Sequence, residues 1–258
     1  MRTLWSIWTW ACVLLSAVVA VILMALLWPF GFLDPQRKRG RILRWAGIWI
    51  ARLAPMWNFG VYGPIRHRPS KTVVVSNHCS HTDSFLISHL PWEMKWLGKA
   101  ELFPVPPVGW AMFLAGDVPV VRGDKQSALE AMARCARYLE SGMPVMIFPE
   151  GTRSKTGHMG PFKVGAFRLA IETGADVLPI AVAGTTRALT KHDWRFNRAK
   201  ARVTVGEPIS TRGMTLEDVE ELSQQARAAI DALRTEMIPH TSDADLPPAP
   251  EADKPPGQ

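Results

Sequence analysis

A histidine and an aspartate five residues apart, in Asn77-His78-Cys79-Ser80-His81-Thr82-Asp83, give this sequence one pair suited to moving a proton. On a continuous helix five residues turn through about 500°, and the two side chains diverge. In a turn that leads into a helix the chain folds back, and Asp83 can accept from His78 Nδ1–H. The carboxylate then fixes the tautomer and leaves Nε2 to take a proton from a hydroxyl. A His and an Asp at one spacing is a weak pattern. The second polar block, Phe148-Pro149-Glu150-Gly151-Thr152-Arg153-Ser154, is far more specific. Gly151 permits a positive φ and a close backbone approach. Arg153 presents a planar fork that fits a phosphate, and Thr152 and Ser154 add hydroxyls. Rival chemistries have less support. Cys79 as a nucleophile would point to the opposite face from His78 in a strand. His78, His81, Asp83 and His89 match no metal-ligand spacing, so no metal is expected. A lipid-hydrolysing esterase would need an activated serine, and no Gly-x-Ser-x-Gly is present.

Both blocks directly follow short apolar, β-branched runs. Thr72–Ser76, Lys95–Leu97, Val118–Val121, Val145–Phe148, Val177–Val182 and Arg202–Val205 read as strands. Helical patterns lie between and after them. One opens at the capping-box pattern Ser127-x-x-Glu130 and stops at Gly142; another covers Val164–Thr173. A third covers Thr215–Met237, opening at Thr215-x-x-Asp218. This alternation predicts an α/β fold, a mostly parallel sheet flanked by helices, with its site at the carboxyl ends of the strands.

The other end of the chain is apolar. No charge occurs from Thr3 to Leu33, and a helix over Leu4–Trp28 would be roughly 38 Å long, enough to cross a hydrocarbon core. A basic cluster follows, Arg37-Lys38-Arg39-Gly40-Arg41 and Arg44, which predicts that the next domain faces the cytoplasm. Over residues 41–57 a helix would gather Arg41, Arg44 and Arg52 on one face among Ile, Leu and Trp, a pattern suited to a helix lying in the headgroup layer. A span plus a surface helix and a hairpin dipping into one leaflet both fit. The formal charge is +7, and residues 240–258 carry −3 of the total. A basic body suits a membrane surface, a phosphorylated substrate or an acidic protein. Charge alone would also suit nucleic acid, but nothing else in the sequence does. The scattered Cys12, Cys79 and Cys135 form no disulfide framework, as expected in a reducing compartment.

Asn77-His78 with Asp83, together with Phe148 to Ser154, resembles the glycerolipid acyltransferase family, in particular its 1-acylglycerol-3-phosphate acyltransferases. Three weaker blocks agree: Lys99-Ala100-Glu101-Leu102 through Pro107-Val108-Gly109 to Val120-Val121-Arg122, then Phe162-Lys163-x-Gly165, then Val177 to Val182. The likeness covers roughly residues 70–208. It implies direct acyl transfer from an acyl thioester, acyl-CoA or acyl carrier protein, to the sn-2 hydroxyl of lysophosphatidic acid. His78 would be the base and Asp83 its orienting partner. Glu150, Gly151, Thr152 and Arg153 would form the acceptor site, with Arg122, Lys99 and Lys163 sharing the phosphate. Asn77 or backbone amides are the candidate oxyanion donors. No bound cofactor is implied. The partners would be a lysophospholipid, the thioester donor and the lipid bilayer, and the location the cytoplasmic membrane of a bacterium. Another lyso-lipid, such as a lyso-ornithine lipid, would use much of the same machinery. The expected organisation is a membrane-inserted helix over 1–33, an interfacial helix over 34–60, the acyltransferase domain over 61–240 and a disordered tail over 241–258.

Overall fold

A computed structural model describes residues 1–33, 38–154, 157–190 and 193–245. Seven strands form one sheet: β1 Trp57–Val61, β2 Thr72–Ser76, β3 Lys95–Lys99, β4 Val118–Val120, β5 Val145–Ile147, β6 Asp176–Ala183 and β7 Ala199–Val205. Their order is β1-β7-β6-β2-β5-β3-β4, and only the β6–β7 pair is antiparallel. The expected mostly parallel sheet is what forms.

Every residue of β2 is buried, as a strand covered on both faces requires. Its side chains alternate. Val73 and Val75 pack under α5 (Lys125–Glu140), α6 (Gly165–Thr173) and α7 (Val219–Met237). Val74 packs on the other face with Leu86 and Ile87 of α3 (Asp83–Ile87) and with Trp96. The capping box at Thr215 and Asp218 forms and starts the last helical segment. The box expected at Ser127 does not. Asp124 caps α5 instead, accepting from Ser127 N at 3.1 Å, and Ser127 Oγ is occupied by Val121 N at 2.9 Å.

Three expectations change. Strand β1 was not foreseen. Its parallel pairing with β7 brings the sheet back to Trp57, into the stretch assigned to an interfacial helix. That helix is shorter, α2 (Arg41–Leu53); Arg41 and Arg44 face the protein, while Arg52 is exposed over the Trp49 ring. Arg41 donates to the carbonyls of Leu90 and Trp92, both at 2.7 Å, and Arg44 is buried on Asp117 at 2.5 Å beneath Trp96. Fixed carbonyls and carboxylates satisfy the guanidiniums of Arg41 and Arg44, and the helix exposes Trp45, Trp49, Arg52 and Leu53. Arg37, in the same basic cluster, lies outside the described residues. The tail is ordered for five residues longer than expected. Asp243 is buried and accepts from Gly184 N at 2.6 Å, while Ser242 pairs with Lys200. Residues 246–258 lie outside the described part.

The apolar N-terminal run forms α1 (Arg2–Leu26), long and apolar enough to cross a membrane. It does not stand away from the body. Small residues line its inner face, Ser6, Thr9, Ala17 and Ala20, and it packs along α2 and α4 (Val108–Ala115). Arg2 pairs with Asp193 at 2.8 Å at one end, and Trp28, just past the other end, stacks on Phe113 of α4. The outer face, with Leu14, Leu15, Val18, Ile22 and Leu26, is exposed, as are Trp110 and Phe113 beside it.

Candidate active site

The site sits at the carboxyl ends of four adjacent strands. The segment after β2 carries His78, the segment after β5 carries Glu150 to Arg153, β3 ends on Lys99, and Arg122 follows β4. Between β2 and α3 the chain turns back on itself, closed by Asp83 N–H on Ser80 O at 3.2 Å. This turn puts His78 Nδ1 2.8 Å from Asp83 Oδ2. The same oxygen accepts from Cys79 N at 2.8 Å and Ser80 N at 2.9 Å, so the carboxylate is fixed from three directions. Asp83 is fully buried, and the His78 side chain keeps 12% of its surface. The bond assigns the Nδ1–H tautomer, and Nε2 is left without a hydrogen-bond partner among the described residues. Phe148 stacks on the imidazole at 4.1 Å, and Trp96 meets Phe148 edge-on at 6.1 Å. Sequence reasoning missed this aromatic support. Its signal was an aromatic residue ending the strand beside the histidine's own.

Glu150 does not point at a ligand. Its Oε1 accepts from His78 N at 2.7 Å and its Oε2 from Gly160 N at 3.0 Å. Ser154 N returns a bond to His78 O at 2.8 Å, so the two polar blocks are stitched together through backbone groups. Burial pushes the Glu150 carboxyl above its ordinary range, against the pull of the two amides. Its geometry is that of a brace between two loops. Gly151 has φ +68°, a conformation that favours glycine, and the Lys163 side chain lies close over it.

Arg153 is half-buried and makes no hydrogen bond or ion pair among the described residues; Thr152, Arg122 and Lys163 are exposed. Lys99 is half-engaged with Glu101 at 3.2 Å. His81 lies at the surface between these cations. Crowding by the protein, then Arg153 and His78, with a further push from Arg122, holds its imidazole down at about 4. The site therefore offers a concentrated positive field facing solvent. Asn77 is not part of it. Its amide makes two bonds to Val182 of β6, at 2.9 and 3.0 Å, and serves the sheet, which removes it as an oxyanion donor. Cys79 is buried, and burial first, then Asp83, pushes its thiol up to about 12, so no thiolate forms near neutrality. His89 donates its ring toward the carbonyls of its own turn and plays no part here.

Comparison with known proteins identifies the family of the chain. The family model described as Acyltransferase matches residues 59–183. A 1-acyl-sn-glycerol-3-phosphate acyltransferase of Pseudomonas aeruginosa is 31% identical over 211 residues, covering 80% of this chain and 81% of its own length. A chloroplast enzyme of the same description from Brassica napus is 36% identical over 199 residues, covering 75% of this chain; the chain spans 58% of that relative. Among solved structures, the crystal structure of the 1-acyl-sn-glycerophosphate (LPA) acyltransferase from Thermotoga maritima shares the fold. Its TM-score is 0.64 at 24% identity, over 92% of this chain and 98% of that one.

Proposed function

Since the chain belongs to the acyltransferase family of these relatives, we propose that it transfers a fatty acyl group from an acyl thioester to the sn-2 hydroxyl of 1-acyl-glycerol-3-phosphate, giving phosphatidic acid. The observation that carries this reading is the His78–Asp83 pair with its unpartnered Nε2, bonded through backbone to the loop of Arg153. In the proposed step Nε2 removes the hydroxyl proton as the oxygen attacks the thioester carbonyl. Asp83 steadies the imidazolium that forms. The tetrahedral adduct collapses, the carbon–sulfur bond breaks, and the departing sulfur takes the proton from His78. The acceptor phosphate lies in the field of Arg153 and Arg122, with Lys163 over Gly151. Positioning rather than covalent catalysis does the work.

The donor is acyl-CoA or acyl carrier protein, and the +7 chain suits the acidic carrier. The apolar outer faces of α1, α2 and α4 hold the protein to a bilayer. Both ends of α1 are tied to the same body, so the reading is of a helix lying in one leaflet, with the site reaching lipid acceptors from the side. Purified protein given a panel of lyso-acceptors and both donors tests the function. Net transfer to lysophosphatidic acid is expected. Preference for a lyso-ornithine lipid would reassign the acceptor, and release of free fatty acid alone would make the protein an esterase.

A further inference from the structure

Helix α7 lies beyond the matched segment, yet two of its arginines reach the loop that follows Arg153. Arg234 is 4% exposed and donates to Gly157 O at 2.6 Å. Arg227, two turns earlier, donates to both Met159 O, at 3.0 Å, and Gly160 O, and its guanidinium covers the Phe162 ring at 5.5 Å. Met159 C=O and Gly160 N–H belong to one peptide unit. Arg227 therefore grips the carbonyl of the same amide whose N–H points at Glu150 Oε2. In a trans peptide these groups are antiparallel, so a cation on one end and a carboxylate on the other hold its dipole and strengthen both bonds. The other oxygen of Glu150 holds the N–H of His78.

We propose that Arg227 is a positioning residue of the active site, which sets the Met159–Gly160 peptide, through it Glu150, and through Glu150 the backbone of His78. The inference rests on the acyl-transfer reading above. A carboxylate as buried as Glu150 needs both amide donors. With Arg227 removed, the peptide rotates, Oε2 loses its partner, and the brace between the two polar loops slackens.

The test uses the full-length protein in detergent micelles, with Arg227→Met, Arg227→Lys, Glu150→Gln and Arg227→Met/Glu150→Gln. Exposed Arg168→Ala, paired among the described residues with Glu172 alone, serves as a control of unchanged activity. Arg227→Met keeps the stem's packing and removes the fork. It is expected to lower kcat roughly ten- to a hundredfold, the scale of a hydrogen bond to a charged group, with little change in donor KM or melting temperature. Arg227→Lys should recover part of the loss. The double variant should fall no further than Glu150→Gln alone, since the two act in series. Multiplying losses, or full kcat in Arg227→Met, would overturn the proposal. Amide hydrogen exchange needs no substrate and separates this inference from the function itself. Arg227→Met should speed exchange at Gly160 and His78 and leave Val145 of β5 protected. Unchanged exchange at Gly160 refutes the relay whatever the activity. Faster exchange in a protein that transfers no acyl group would leave the relay standing and defeat the reaction assignment.

Discussion

At the scale of single residues, the chemistry depends on which polar groups are already occupied. Asp83, Glu150 and Asn77 are all buried and all bonded, whereas His78 Nε2 and the guanidinium of Arg153 have no hydrogen-bond partner among the described residues. A positioned general base contributes about 10²–10⁴ in rate, so His78→Ala should lose at least a hundredfold in kcat while still folding. Asp83→Asn should lose activity as well, because an amide can favour the wrong tautomer, and Cys79→Ala should stay active because its thiol does not ionise near neutrality. Acyl-transfer rates at matched expression decide, and full activity in His78→Ala would end the mechanism. His81 supplies a second prediction. Burial first, and then the neighbouring arginines, disfavour its imidazolium, so without an anion its proton NMR signal should titrate near 4. A bound phosphate adds the opposite charge and should move that midpoint upward. The same phosphate makes Arg153→Lys a probe, since lysine lacks the fork; the acceptor KM should rise more than the donor KM. A His81 midpoint indifferent to lysophosphatidic acid would place the phosphate elsewhere. The His78–Asp83 pairing was legible because a histidine and an aspartate straddling a turn after a strand are visible as residue types. The bracing role of Glu150 and the sheet role of Asn77 were not legible, because both depend on partners 72 and 105 residues away.

At the scale of elements, the sequence reveals those with strong periodic patterns and misreads those decided by tertiary partners. Strands β2, β5 and β6 were visible as β-branched runs. Strand β1, five residues holding two aromatics and a glycine, had no such run and forms because β7 offers it a parallel edge. Helix α2 shows the converse. Its arginines and tryptophans read as a headgroup pattern, but the sequence does not reveal that Asp117 and Glu93 lie within reach of Arg44. The network is testable. Arg44 and Asp117 are 7% and 1% exposed in their side chains, and Lys95 pairs with Glu93 at 2.9 Å beside them. Arg44 helps keep the buried Glu93 charged, since burial alone pushes that carboxyl upward. Removing one member of such a group leaves uncompensated buried charge, so Arg44→Met should cost roughly 3 kcal/mol or more. The urea midpoint should fall accordingly with an unchanged slope. An unmoved midpoint would mean that the network contributes little and that α2 is held by its apolar contacts alone. Arg227 and Arg234 of α7 had left a trace in the sequence: two arginines seven apart, beside the apolar stripe of Ala226, Ile230 and Leu233, face inward.

For the whole molecule, the sheet, its helices and the apolar N-terminal element were legible in outline, but the attitude of α1 to the body was not. Hydropathy measures length and polarity, and α1 satisfies both without leaving the protein. Attachment should rest on apolar burial, so the protein should stay with membranes through a high-salt wash; release by salt would reduce the association to charge. The tie of Arg2 to Asp193 at one end of α1, and of Trp28 to Phe113 at the other, carries a further consequence. A helix that crosses a bilayer must match its thickness, by tilting, or by stretching or thinning the lipid around it. A helix laid along its own domain in one leaflet has no such length to match. Its hold on the membrane should therefore be nearly the same in vesicles of short-chain and long-chain lipids. Under the proposed reaction, which would change the acyl composition of the surrounding lipid, the protein would keep its footing as that lipid changes.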